Sequence, residues 1–179
     1  YIDRKGAFSK PYSPIDTDDE FDLVKETNAN KAQSIADFLY ELKGSSPENT
    51  IIIPAIHGTY GEDGTIQGFL DCIGYPYIGN SLLSSAICMD KVTTNDIFAK
   101  NKIPQAKYLY TYKEDFDDEF VNKCVSEIGL PLIVKPSANG SSVGVSKVED
   151  KKTLKKAISD AFKYDKKILI EELIDCLLY

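Results

Sequence analysis

At 179 residues, 42% hydrophobic and 27% charged, the chain has the make-up of an ordinary globular protein with room for one large domain or two small ones. Its formal net charge of −7 and pI of about 4.8 argue against the cationic surface that a nucleic-acid binder needs to neutralise phosphates. No apolar run approaches the ~18 residues of a membrane span, so neither nucleic acid nor membrane is expected among its partners.

No signal peptide opens the chain, and Tyr1 stands first in place of Met, so an upstream piece is expected. Cys72, Cys88, Cys124 and Cys176 show neither a disulfide framework nor metal-ligand spacing, and His57 is the sole histidine available to them. Reduced thiols in a cytoplasmic protein, with no protein-held metal site, are the expectation.

Residues 1–30 are polar and turn-rich and read as a connection. Ala32, Ile35, Ala36, Leu39 and Leu42 recur at helical spacing, predicting an amphipathic helix that stops near Gly44. Residues 51–56 form a continuous apolar run, the pattern of a strand buried on both faces in a parallel sheet. A loop with three glycines, residues 57–64, follows at once. Ligands of open α/β sheets bind in such loops at the carboxyl ends of strands. Ile66, Phe69, Leu70 and Ile73 then mark a helix.

From Lys107 the pattern changes. Strands are predicted over 107–112, 132–135, 143–148 and 168–172, with helices over 117–128 and 150–164. That order, strand-helix-strand-strand-helix-strand, is a split βαβ unit. The fold class is therefore α/β, with one domain over 1–90 and a second over 91–179. Lys151, Lys152, Lys155 and Lys156, beside Glu149 and Asp150, read as a solvated helix face.

Residues 136–144 (Pro-Ser-Ala-Asn-Gly-Ser-Ser-Val-Gly) join two of these strands and are entered directly from Lys135. Small side chains let backbone N–H groups approach an anion, Ser141 and Ser142 add hydroxyl donors, and Lys135 adds a point charge suited to polyphosphate. An ordinary hairpin loop has the same composition. It is not a Walker A loop, since no Gly-Lys-Ser/Thr precedes a helix. His57 is either a structural histidine or a site residue. Glu62 and Asp63 can cap the next helix. Lys91 by itself is a surface lysine, and Glu171 and Glu172 face either solvent or a ligand.

Taken together, four stretches resemble the D-alanine–D-alanine ligase family in the right order: residues 57–68 (His-Gly-Thr-Tyr-Gly-Glu-Asp-Gly-Thr-Ile-Gln-Gly), residues 75–91 with the Met-Asp-Lys ending at Lys91, residues 131–144, and residues 168–172. The resemblance implies the end of a Rossmann-like domain preceding the grasp, followed by the central ATP-grasp subdomain. It implies an ATP-dependent ligase, with Mg²⁺, that joins two D-alanines for peptidoglycan precursors through an acyl phosphate, as a homodimer. Lys91 and Lys135 would then hold ATP phosphates. Ser141 and Ser142 would belong to the flap over the nucleotide, with Ser141 also near the dipeptide site. Glu171, Glu172 and Ile174 would line the adenine pocket. His57 would lie by the first D-alanine, with Glu62 shaping its loop.

Three departures from the family pattern are visible. Nothing matches the family's opening strand and its substrate-binding Glu. After Glu172 the chain reads Leu-Ile-Asp-Cys-Leu-Leu-Tyr, where the family has a ribose-contacting Glu. The stretch that carries the Mg²⁺ ligands lies beyond Tyr179. A fragment with little or no ligase activity of its own is the expectation. D-alanine–D-lactate and D-alanine–D-serine ligases share the same signatures, and a non-catalytic nucleotide-binding remnant is the alternative outside enzymes.

Overall fold

The computed structural model describes residues 31–140 and 142–175, so the connection expected over 1–30, together with Ser141 and Cys176, lies outside the described residues. The chain divides into two compact units, Tyr1–Ser85 and Ala86–Tyr179.

In the first unit the expected opening helix is present as α1 (Lys31–Glu41), continued by a short 3-10 turn, Leu42–Gly44. Its inward residues are Ser34, Ile35 and Phe38, whereas Leu39 is 40% exposed. The Phe38 ring lies 6.0 Å from that of Phe69 on α2 (Thr65–Ile73). The buried strand expected over 51–56 is corrected. Ile51 and Ile53 are exposed, and Ile52 makes one isolated parallel bridge, to Tyr77. A parallel strand is buried only where neighbours flank it and its faces are covered. Among the described residues Ile52 has that single partner.

α3 (Leu82–Met89) and α4 (Lys91–Lys100) follow. Neither was expected from apolar periodicity. α3 is apolar apart from Ser84 and Ser85, and in α4 Val92 and the run Ile97-Phe98-Ala99 are separated by four polar residues, so neither shows a stripe. What starts α4 is its cap: the Asp90 carboxylate accepts the Thr93 N–H at 3.1 Å.

The second unit carries a four-stranded sheet in the order β1-β4-β2-β3, from β1 (Tyr108–Tyr112), β2 (Leu132–Pro136), β3 (Ser146–Val148) and β4 (Lys167–Glu172). Every neighbouring pair is antiparallel. Hence β1 and β2 run parallel with β4 between them, joined by α5 (Asp118–Glu127). Likewise β3 and β4 run parallel with β2 between them, joined by α6 (Lys151–Ala161). The expected split βαβ order is thus observed, as two interleaved crossovers.

Strand periodicity sorts the two faces. Leu132, Val134, Ile168 and Ile170 pack with Val148 against Val121 and Cys124 of α5 and Leu154, Ile158 and Ala161 of α6, all nearly or fully buried. Burial in this core pushes the Cys124 thiol up to about 12. Lys151, Lys152, Lys155 and Lys156 are exposed, as expected of a solvated helix face. The opposite sheet face carries Ile133 and Lys135 of β2 and Lys167, Leu169 and Glu171 of β4. In register, Leu169 sits between Tyr110 and Lys135. β3 is shorter than the expected 143–148. Gly144 turns into the left-handed region at φ 75°, and Val143 and Val145 are exposed instead of alternating.

Candidate functional site

The second unit brings Lys91, Lys135 and Glu171 together. Lys135 points from the face of β2 opposite α5 and α6 and is ion-paired with Glu171, whose other oxygen accepts from Asn95 Nδ2 at 3.2 Å. Lys91 opens α4. Its Nζ donates to the Asn139 carbonyl at 2.5 Å and the Ser137 carbonyl at 3.3 Å, at the mouth of the 136–144 loop. It is half-buried rather than the surface lysine its isolated sequence suggests. Burial lowers the Lys91 ammonium below the ordinary lysine value, and the neighbouring Lys135 charge adds to that. Glu171, Asp165 and Asp90 oppose it. Two ammonium groups, one of them paired with Glu171, thus stand near each other in a partly desolvated place.

Beneath these lysines lies a polar node that local sequence patterns do not reveal. Ser137, fully buried, donates through Oγ to Asp90 Oδ1 at 2.7 Å and accepts the Val92 N–H at 3.3 Å. Its carbonyl accepts the Lys91 N–H at 3.0 Å, and its own N–H donates to the Lys167 carbonyl at 2.9 Å. The second Asp90 oxygen is ion-paired with Lys167. Burial pushes the Asp90 carboxyl up, but the Lys167 ammonium and the N–H and O–H donors outweigh it and hold the group below its ordinary value. Burial likewise pushes Lys167 down, and Asp90 outweighs it. The one local signal was the Asp-Lys-Val-Thr run, an N-cap pattern at 90–93. The Asp90–Lys167 partnership spans 77 residues, so nothing in either segment announces it.

Asp165 fastens the loop from the other side. Its carboxylate accepts the Ala138 N–H at 2.7 Å and the Lys167 N–H at 3.2 Å. Gly144 closes the loop against Pro136 and Tyr164, where a Cβ would come within 2.7 Å of both side chains. Ser142 is exposed with φ 58°. Ser141 lies outside the described residues.

The adjacent acids Glu171 and Glu172 part company. Glu171 faces Lys135, while Glu172 is in register with Leu132 on the helix-bearing side. Glu172 exchanges bonds with Lys107, through its N–H to the Lys107 carbonyl (2.9 Å) and its carboxylate from the Lys107 N–H (3.4 Å). Ile174 follows the strand and is exposed.

In the first unit His57 and Glu62 are neighbours. His57 Nδ1 lies 3.5 Å from a Glu62 oxygen, and the His57 side chain is 94% exposed. Glu62 does not cap α2. It bends back to accept the Gly58 N–H at 2.8 Å. The cap position belongs to Gly64, which makes no side-chain cap bond. Asp63 supports the helix start by accepting the Thr65 N–H at 3.0 Å and the Tyr60 N–H at 2.9 Å. Burial pushes its carboxyl up and these donors more than offset that. Gly61 is required at its position, because a Cβ there would stand 2.5 Å from the Ile56 carbonyl oxygen. Gln67, absent from the sequence-based candidates, holds the loop by donating to the Gly61 carbonyl at 3.0 Å. Its own Oε1 is buried without a hydrogen-bond partner.

A small antiparallel sheet with two crossover helices on one face and two lysines beside a small-residue loop on the other is the architecture of the ATP-grasp family. Within it, the family model described as D-ala D-ala ligase N-terminus matches residues 1–80, and that described as D-ala D-ala ligase C-terminus matches residues 97–177. The chain belongs to the D-alanine–D-alanine ligase family. It is 46% identical over 160 residues to a protein named D-alanine--D-alanine ligase from Finegoldia magna, covering 89% of this chain and 44% of the relative. A protein of the same name from Acetivibrio thermocellus is 50% identical over 128 residues, 70% of this chain and 34% of the relative. Among solved structures, the D-alanine--D-alanine ligase of Bacillus anthracis superimposes with TM-score 0.67 at 37% identity. It covers 78% of this chain and 44% of its own. That of Coxiella burnetii gives 0.66 at 32%, covering 70% and 37%. The chain spans less than half the length of these relatives.

Proposed function

We propose that the chain is part of an ATP-dependent ligase that joins two D-alanines into the dipeptide used for peptidoglycan precursors. The observation that carries this reading is the convergence of Lys91 and Lys135 at the mouth of the 136–144 loop. In this reading the first unit belongs to the substrate domain and the second to the central ATP-grasp subdomain.

The cradle's chemistry suits a nucleotide polyphosphate. Among the described residues Lys135 has Glu171 as its one charged partner, and Lys91 donates to two neutral carbonyls. Both cations can take phosphate oxygens in a site where solvent screens them less than at the surface. Ser141 and Ser142 would close over the phosphates. Glu171, Glu172 and Ile174 would border the adenine, with Glu172 and Ile174 contributing mainly backbone because the Glu172 carboxylate is engaged with Lys107. His57 and Glu62 would sit by the first D-alanine. Its carboxylate takes the γ-phosphoryl group as an acyl phosphate, and the amine of the second D-alanine displaces phosphate to form the peptide bond. The protein's part is positioning and charge neutralisation, with little nucleophilicity of its own. Mg²⁺ is expected to share that neutralisation. Among the described residues no group of three or more His, Cys, Asp or Glu is placed to hold a metal, so no ligand for it is assigned. A cytoplasmic homodimer belongs to the same proposal.

Titration with a fluorescent ATP analogue tests it. Lys135→Ala removes one charge-assisted contact and is expected to weaken binding roughly ten- to a hundredfold, the equivalent of about 1.5–3 kcal/mol. Equal affinity in both proteins refutes the phosphate role. In the whole protein, phosphate release stimulated by D-alanine over D-lactate and D-serine supports the dipeptide product, and preference for either of the others overturns it.

A further inference from the structure

Two like charges held side by side need a scaffold that keeps them from splaying apart. Lys91 and Lys135 come from different elements, the start of α4 and the end of β2, and neither bonds to the other. The structure shows one group of bonds tying those elements together. Asp90 caps α4 through Oδ1, and the same oxygen receives the Ser137 hydroxyl. Ser137 lies two residues beyond Lys135 and is fully buried. Through its oxygens it takes both the N–H and the Nζ of Lys91, as well as the Val92 N–H. The other Asp90 oxygen is ion-paired with Lys167, which opens β4, the strand that carries Glu171 four residues on. Helix start, lysine strand and acid strand therefore meet on one carboxylate and one hydroxyl.

We propose that Asp90 and Ser137 are positioning residues. They touch no ligand themselves, and they fix the first turn of α4 against β2 so that the Lys91 ammonium is held beside that of Lys135. The lowered Lys91 ammonium fits this arrangement, with burial first and Lys135 second among its causes. The charged groups that act on Lys91 are Lys135 on β2, Glu171 on β4, Asp165 in the turn before β4, and Asp90 itself. The proposal deepens the nucleotide reading of the same cradle, and its primary test is independent of nucleotide.

The test measures the pH dependence of Lys91 acetylation by mass spectrometry in the parent protein, Ser137→Ala and Asp90→Asn. Asparagine retains helix-capping ability, so the second variant removes the charge while keeping the cap. In Ser137→Ala the labelling midpoint of Lys91 is expected to rise toward that of exposed Lys156, followed in the same digest, whereas in Asp90→Asn the loss of a nearby carboxylate charge acts in the opposite direction. Binding of inorganic tripolyphosphate is expected to fall about tenfold in parallel, roughly 1.4 kcal/mol. A Lys91 midpoint unchanged in Ser137→Ala overturns the proposal, even if the thermal midpoint drops, because a merely structural role would lower stability and leave the Lys91 titration where it was. A shifted midpoint in a parent that binds no tripolyphosphate upholds the positioning role and defeats the nucleotide reading.

Discussion

Replacing Gly144 by Ala isolates what the 136–144 loop demands of its last residue. At φ 75° an L residue loses about 1–2 kcal/mol to the left-handed conformation. The added Cβ would also stand 2.7 Å from Pro136 Cγ and 2.7 Å from Tyr164 Cδ2. Tyr164 is 52% exposed and can swing away, but Pro136 is fully buried at the end of β2 and cannot. Overpacking of that kind costs about 1–3 kcal/mol, so the sum expected for Gly144→Ala is roughly 2–5 kcal/mol. Gly140→Ala is the matched control in the same loop. Its Cβ would meet nothing within 4 Å, and its φ is not in the left-handed range. That change is expected to be neutral or to stabilise by about 0.4–1 kcal/mol through the unfolded chain. Equilibrium urea denaturation followed by far-ultraviolet circular dichroism reads both, since the chain has no Trp. A difference between the two variants below about 0.5 kcal/mol, the ordinary scatter of surface changes, refutes the reasoning.

Two other predictions concern the unit that holds the lysines. Ile158 is fully buried where α6 packs on the sheet, so Ile158→Ala is expected to cost about 2–5 kcal/mol in the same denaturation assay, against about 0.5–1.5 for Ile158→Val. Equal costs would mean that the site collapses around the deletion. The Asp90–Lys167 pair links stability to pH at both ends. Asp90 titrates below its ordinary 3.8, so its contribution is complete above that value and lost as pH falls through the folded one. Lys167 titrates above its ordinary 10.5, so its contribution is complete below that value and lost as pH rises through the folded one. Asp90→Asn should therefore flatten the stability curve below pH ~4 and above pH ~10, and parallel curves for the two proteins would discount the pair.

The parts of this fold legible in sequence are those whose signals are local and whose partners are near. α6 shows its apolar stripe at Leu154, Ile158 and Ala161, and β2 and β4 show their apolar runs, because one helix face or one strand is enough to produce the pattern. The run at 51–56 is just as apolar yet makes only a bridge, since a strand is defined by partners that its own residues do not specify. α3 and α4 were missed for the converse reason. Their apolar residues do not fall in a stripe, and capping at Asp90 rather than amphipathicity marks where α4 begins. In the site, Lys135 and the small-residue loop could be read from chemistry and Lys91 only from resemblance. Asp90 offers a local N-cap pattern and nothing more, and the roles of Ser137, Lys167 and Asp165 could not be read, because their meaning lies in bonds that cross from one element to another.

The acidic composition and the lysine cradle are compatible once location is weighed as well as number. Most basic side chains whose pairing is visible are matched at the surface. Lys147 meets Glu149, Lys155 meets Asp118, and Lys156 and Lys163 share Asp160. Such exposed pairs contribute little to stability and leave little net field, since water and salt screen them. Lys91 and Lys135 differ because they are drawn partly out of solvent and lie near each other, with Glu171 paired to Lys135. A net charge of −7 argues against a long phosphate-tracking surface, which needs many unmatched cations in a row. It does not exclude a short polyphosphate held by two, because a net excess of carboxylates spread over the surface is screened there, while two ammonium groups near each other in a partly desolvated place act locally even with Glu171 paired to Lys135.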